Sequence, residues 1–484
     1  MKNKQNNIRL RFAPSPTGWL HIGGLRSCLS GYLIAKNLGG KMILRIEDTD
    51  QARTVPGALE GLINILNWSG IEFDEGPHKG GDYGPYTQME RLAKYNQYKE
   101  ELLEKGGAYP CFCTAERLEA MRQKQQDNKE APRYDRTCRN LSEEETRKRM
   151  ANGEKYVIRQ KMPLTGEIKV IDELRGEIVF KAEDLDDQVL IKSDGVPTYH
   201  FASMVDDHLM EISHITRGEE WLPSFPKNYL LFQAFGWTPP KFIHLPLILN
   251  KTGGKLSKRQ GDVAVEDYKA KGYLPEALLN FCALLGWHPK GDKEILSLSE
   301  IIKEINIKDI GTSPAVFDTE KLDYLNGCYI RQKNLGELYD LCYQYLPKEK
   351  RDDKEFIKRV LKTIQARLKT LSQVGDLSKF YFVDQLEYEP NLLIWKKLSL
   401  EETKANLEKI KTFLESINDW TEKNLEMAVV QYLKDNNYGT GDFLWPMRVA
   451  LSGEKNSPGP FEIAAALGKD ISLKRIQAAI DKSA

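Results

Sequence analysis

A chain of 484 residues is too long for one core and divides into about three domains at roughly 150 residues each. Hydrophobic residues at 41% and charged residues at 29% are ordinary for a folded globular protein, and seven cysteines, an odd number, exclude a secreted disulfide framework. The formal net charge is zero, so a polyanion must be met by a local basic patch rather than by overall basicity.

The polar residues 1–7 run straight into the first strand and contain no apolar stretch for a secretory leader. No run of about 18 apolar residues occurs, so a cytoplasmic location without a membrane partner is expected. Residues 8–12 and 41–46 read as short buried strands, and 20–38 between them as a helix closed by Gly39-Gly40. Strand, helix, strand is a right-handed parallel unit. Residues 58–68 and 90–105 read as further amphipathic helices. After Tyr109 the character changes to cysteines, a basic helix and strand-like segments at 155–160, 167–170, 177–180 and 189–192, the mark of an insertion. The first pattern resumes near Thr198, with 212–216 and 243–249 as strands. Beyond about 331 the signal is helical: Phe356, Ile357, Val360, Leu361, Ile364, Leu368 and Leu371 share one helix face, as do Leu407, Ile410, Leu414 and Ile417.

Two short motifs carry the chemistry. His21-Ile22-Gly23-Gly24 follows Arg11-Phe12-Ala13-Pro14-Ser15-Pro16-Thr17-Gly18, a strand running through a turn into a helix. A helix N-terminus with unpaired amides and glycines that admit close approach suits a phosphate, and His21 can donate a ring hydrogen to it. Lys255-Leu256-Ser257-Lys258-Arg259 follows the apolar run 243–249 and Gly253-Gly254, placing mobile cations on a flexible loop.

Together these segments resemble the two signature motifs of class I aminoacyl-tRNA synthetases, and are most similar to the glutamyl-tRNA synthetases of bacterial type. The segments 44–50, 193–208 and 445–453 resemble the same family. The resemblance implies an α/β fold: a Rossmann-like doubly wound parallel catalytic domain (1–108 and 196–254), interrupted by an α+β acceptor-binding insertion (109–195). A stem-contact region with the Lys255–Arg259 loop (255–330) and an all-α anticodon-binding module (331–484) would follow. It implies ATP-dependent ligation of L-glutamate to tRNA(Glu) through a glutamyl-adenylate, with Mg2+ bridging phosphate oxygens and a monomeric enzyme. His21, Lys255 and Lys258 would be catalytic, with Gly23, Gly24, Glu220, Leu256, Ser257 and Arg259 completing the ATP site. Arg11, Ser15, Glu47, Tyr199, Ser203 and Arg217 would hold glutamate, since arginine grips a carboxylate bidentately. Which arginine takes which carboxylate stays open. Ser203 and Gly24 stand where asparagine and histidine are usual.

Cys111, Cys113 and Cys138 resemble a zinc site of some family members, with Tyr134 as the fourth ligand and Asn140 where others have histidine. A structural Zn2+ and a metal-free cluster both fit the motif. The other readings of the chain are a form that also charges tRNA(Gln), a small-molecule nucleotidyltransferase, and a tRNA-binding paralogue without catalysis.

Overall fold

The computed structural model describes residues 7–254, 256, 263–348 and 350–483. They form two compact units, one of residues 1–268 with 278–318 and one of 269–277 with 319–484.

The first unit begins with β1 (Arg9–Phe12), α1 (Ile22–Asn37) and β2 (Lys41–Leu44), and β1 pairs in parallel with β2. Helix α1 is apolar on nearly every side and therefore buried; Leu25, Cys28, Leu29 and Leu33 are all within 1% of full burial. Gly31 lets it lie close on the sheet, because a Cβ there would come within 2.8 Å of Thr216 Oγ1. α2 (Ala58–Ser69) and α3 (Leu92–Glu104) follow.

Next come β3 (Ala108–Cys111), α4 (Ala115–Asp127), α5 (Glu143–Ala151), β4 (Val157–Gln160), β5 (Glu167–Asp172), β6 (Gly176–Lys181) and β7 (Val189–Ile191). Strands β3, β4 and β7 make a three-stranded sheet of their own. The β5–β6 hairpin instead joins the strands that follow α6 (Tyr199–Leu209), namely β8 (His214–Gly218) and, beyond α7 (Phe225–Phe235), β9 (Lys241–Leu245). The resulting order is β6-β5-β9-β8, with β5 and β8 both parallel to β9. A hairpin from the expected insertion is thus an edge of the parallel sheet.

The strand expected over 243–249 is divided. β9 ends at Leu245, and β10 (Ile248–Leu249) pairs elsewhere, with Ala315–Val316. Pro246 between them has no N–H to continue the ladder. Beneath β1, the buried Arg9 grips Glu75 with two bonds, Nη1–Oε1 at 2.7 Å and Nη2–Oε2 at 2.9 Å, while Tyr86 donates its hydroxyl to Oε2 at 2.6 Å.

The second unit is helical, with its core built from Leu407, Ile410, Leu414, Leu425, Val429, Met447, Ile463 and Ile476. The single helix face expected over 356–371 breaks at Ile364, where the helix Lys354–Ile364 tightens into a 3-10 turn, Gln365–Arg367. Gln365 donates there to the carbonyls of Ile330 and Lys333, and Leu368 and Leu371 are buried from beyond the helix, Leu371 at the start of a second 3-10 turn, Leu371–Gln373. Ile417 likewise lies beyond the end of its helix, Leu400–Glu415, yet is buried. Buried Arg475 holds the unit's inner loops by donating to the carbonyls of Leu451, Phe380 and Val383 at 2.6, 2.7 and 2.8 Å.

The Arg9 hydrogen bonds hold the Glu75 carboxyl down at about 2, from an ordinary value of 4.5. A folded-state value below the unfolded one contributes stability above pH 4.5 that is lost as the pH falls toward 2. Glu75→Gln is expected to lower stability at pH 7 by about 3–5 kcal/mol, because Arg9 loses its counter-charge. It is also expected to flatten the loss of stability on acidification below pH 4.5. Urea midpoints measured at several pH values check both, and an acid limb parallel to that of the parent chain counts against the assignment.

Candidate active site

The C-terminal ends of β1 and β8, the start of α1 and the start of α6 surround a cavity of about 710 Å3. Its walls include Arg11, Ser15, Gly23, Gly24, Glu47, Tyr199, Arg217 and Glu220. Residues about 200 positions apart in sequence, such as Arg11 and Arg217, are therefore neighbours here, as strand ends of a parallel sheet allow.

Beneath the cavity lies a dense set of buried charges. Arg11 donates Nε and Nη2 to Asp207 at 2.9 and 3.2 Å. Arg45, fully buried, donates to Asp207 at 2.8 Å, to Glu47 at 2.9 Å and to the Ser203 hydroxyl at 3.1 Å. Arg91 Nε meets Asp206 at 2.6 Å, and Tyr95 and Gln88 donate to the other Asp206 oxygen at 2.7 and 3.0 Å. Three arginines thus face three carboxylates. Burial alone would raise Asp207, but Arg11 and Arg45 outweigh it and hold its carboxyl below the ordinary range. For Glu47 burial wins, and its carboxyl is raised.

Among the described residues, several buried polar atoms here have no hydrogen-bond partner: Arg45 Nε, Arg91 Nη2 and Gln88 Oε1 behind the cavity, and atoms of Glu47 and Arg217, which line it. Glu47 Oε2 is buried and unbonded, while its Oε1 takes the Arg45 bond. Arg217 is buried; its Nε donates to His244 Nε2 at 3.0 Å, but among the described residues Nη1 and Nη2 have no hydrogen-bond partner. Arg217 makes no ion pair among the described residues, and burial pushes its guanidinium down to about 10. Tyr199 lies near enough to interact with it, and burial raises the phenol. Its ring packs on Trp221, with centroids 4.9 Å apart.

The remaining expected residues divide. Ser15 is exposed on the cavity wall, as is Glu220. Ser203 is fully buried, and its hydroxyl serves Arg45. His21 caps α1 by accepting the Gly23 N–H on Nδ1 at 2.9 Å, so in the neutral ring the hydrogen sits on Nε2. The unpaired amides expected at this helix start are occupied: Ile22 N–H donates to Val263 O and Gly24 N–H to His21 O, each at 2.8 Å. Residue 263 returns alongside the helix start, which its sequence distance concealed. Leu256 donates its N–H to Ile248 O at 3.2 Å. Lys255, Ser257, Lys258 and Arg259 lie outside the described residues.

Sequence reasoning missed Arg45, Asp206, Asp207 and His244. Arg45 had a local signal, since residues 45 and 47 share one side of an extended segment. The aspartates and His244 had none.

The three cysteine sulfurs lie within 4.8 Å of one another, with Cys113 and Cys138 3.5 Å apart. Tyr134 Oη sits among them, 3.2 Å from Cys111 Sγ and 3.5 Å from Cys113 Sγ, and accepts the Cys138 N–H at 3.1 Å. Thiolates on a tetrahedral zinc at about 2.3 Å stand roughly 3.8 Å apart, so this donor set has the dimensions a metal ion requires.

Comparison with known proteins agrees with this architecture. Residues 7–324 match the model for tRNA synthetases class I (E and Q), catalytic domain, and 337–480 the model for an anticodon binding domain. The chain is 46% identical over 480 residues to a glutamate–tRNA ligase of Clostridium botulinum, covering 99% of both proteins. It is 45% identical over 478 residues to the ligase of Clostridium kluyveri, covering 98% of each. A crystal structure of a glutamate tRNA ligase from Elizabethkingia meningosepticum, in complex with its amino acid, superposes with a TM-score of 0.88 at 35% identity, over 98% of this chain and 99% of that one. With its catalytic and anticodon-binding regions both matched, the chain belongs to the class I tRNA synthetases of the E and Q type.

Proposed function

We propose that the protein ligates L-glutamate to the 3′ end of tRNA(Glu) at the expense of ATP, as a cytoplasmic enzyme of translation. The observation that carries this reading is the pair of unpartnered groups at the cavity floor, the Nη1–Nη2 edge of Arg217 and Oε2 of Glu47. Beneath them Arg45 and Arg91 are paired with Glu47, Asp206 and Asp207, so the cavity-lining Arg11 and Arg217 are available to carboxylates and Glu47 Oε2 to an ammonium. Free glutamate supplies both. Glutamine would leave a buried charge unanswered at the side-chain subsite, which is how a site built on ion pairs rejects a neutral analogue.

In this reading Arg11, Arg217 and Tyr199 bind the carboxylates, Glu47 the ammonium, Ser15 adds a hydrogen bond, and Ser203 acts through Arg45. An α-carboxylate oxygen attacks the α-phosphorus of ATP, and the bond to the β-phosphate oxygen breaks to release pyrophosphate. A ribose hydroxyl of the tRNA terminus then attacks the activated carbonyl, losing its proton as AMP departs. Neither step needs a protein nucleophile, so positioning and charge stabilisation provide the acceleration. His21 Nε2–H, Lys255 and Lys258 are assigned to the phosphates, the glycines at 23 and 24 to close approach, and Glu220 to the ribose side. Leu256, Ser257 and Arg259 complete the loop. Bound Mg2+ would neutralise phosphate charge. Cys111, Cys113, Cys138 and Tyr134 would hold one Zn2+ as a structural cross-link. The helical unit is assigned to the anticodon.

Glutamate-dependent ATP–pyrophosphate exchange is expected only when tRNA(Glu) is present. Arg217→Ala is expected to lower kcat/KM for glutamate about 100-fold or more. Exchange without RNA would favour a small-molecule nucleotidyltransferase, and no exchange would favour an inactive paralogue. Charging of purified tRNA(Gln) would identify a form of broader specificity. Metal analysis of the purified protein is expected to find about one zinc ion per chain, lost in Cys138→Ser; a metal-free parent chain overturns the zinc assignment.

A further inference from the structure

The wall that carries Arg217 is backed by two more buried side chains from neighbouring strands. Arg217 on β8 and His244 on β9 are register partners, and Arg217 Nε meets His244 Nε2 at 3.0 Å. His244 Nδ1 meets Oδ2 of Asp172, the last residue of β5, at 2.7 Å, and both side chains are fully buried. The hydrogens follow from donor chemistry. Arginine Nε can only donate and a carboxylate can only accept, so His244 accepts on Nε2 and carries its proton on Nδ1. Burial holds the imidazole below its ordinary range, which keeps it neutral at pH 7.

Asp172 is held equally firmly. Its Oδ2 also accepts the His244 backbone N–H at 3.1 Å, and its Oδ1 accepts the N–H groups of Leu174 and Arg175 at 3.0 and 3.1 Å. Both oxygens must be acceptors, so an amide at this position would set a donor against a donor in either orientation. The His244 ring is further fixed by Phe225, 4.9 Å away, and by Phe242, 6.2 Å away with its plane nearly parallel.

A guanidinium can grip a carboxylate along its Nε–Nη edge or along its Nη1–Nη2 edge. With Nε occupied, only the second is open, and both of its nitrogens are unpartnered. We propose that Asp172 and His244 are positioning residues for amino-acid binding, which hold Arg217 by Nε and present its Nη1–Nη2 edge to a substrate carboxylate. This rests on the assignment of Arg217 to the amino acid. It also makes the β5–β6 hairpin, from the span expected to serve the acceptor end, a structural support of the amino-acid pocket.

Steady-state charging with the full chain, tRNA(Glu) and ATP tests it. His244→Phe keeps the ring packing and removes the acceptor; the glutamate KM is expected to rise about 10- to 100-fold. The ATP KM and kcat are expected to stay within about twofold, as uniform binding loss requires. His244→Gln, whose amide oxygen can accept from Nε, is expected to recover most of the loss. Equal glutamate KM values for the Phe and Gln variants, no rise in the Phe variant, or a parallel rise in the ATP KM would overturn the proposal. Arg217→Ala runs beside them: an unchanged glutamate KM there refutes the assignment of Arg217 itself, whereas a rise there with none in His244→Phe refutes only the relay. Should His244→Phe not fold, the long-range 1H–15N spectrum of the histidine-labelled parent chain decides. The Nδ1–H tautomer is expected at His244, and the Nε2–H tautomer refutes the relay.

Discussion

The pocket depends on Asp207. Its two oxygens serve Arg11 and Arg45 at once, and through Arg45 they are tied to Glu47 and Ser203. Removing charges from water costs several kcal/mol per ion, and only close, multiply bonded opposite charges offset that. Here the cost is offset by near balance: Arg11, Arg45 and Arg91 against Glu47, Asp206 and Asp207. The floor is tied together because Arg45, Asp206 and Asp207 each bond at least two other side chains, an arrangement that fixes the groups around the cavity before anything binds there. Of the buried atoms there without a hydrogen-bond partner among the described residues, the Nη1–Nη2 edge of Arg217 and Oε2 of Glu47 belong to side chains that line the cavity.

The same logic explains how the sheet is assembled. Asp172 reaches the pocket because the β5–β6 hairpin adds to β9, and a single register pair, Asp172 with Phe242, places it beside His244. An inserted segment would ordinarily be read as an appendage. This one contributes both an edge strand and a buried carboxylate to the catalytic sheet. The α1 start shows a related economy of groups: the Val263 carbonyl and the His21 ring occupy the amides of Ile22 and Gly23.

The helical unit is organised on ordinary principles. Apolar residues at helical spacing, such as Leu407, Ile410 and Leu414, form its core, and a capping box at Ser399 and Glu402 starts their helix. Where the apolar pattern outran the helix, at Leu368, Leu371 and Ile417, burial persisted and helix did not. Hydrophobic periodicity reports which side chains turn inward, and a 3-10 turn can satisfy that demand as well as an α-helical one.

What the sequence by itself determined is local. Apolar spacing marks α1 and the strands beside it, and short motifs single out Arg11, Glu47, Tyr199 and Arg217, four side chains that line one cavity. Each belongs to a short segment whose spacing or resemblance carries the information. What only the tertiary structure decided is pairing. Arg11 with Asp207 spans 196 positions, Arg45 with Asp207 162, and Asp172 with His244 72. A buried aspartate or histidine has no period in the sequence that reveals its partner. Which charges cancel, and which are left over for a substrate, is fixed only when parallel strands from distant segments bring their ends together.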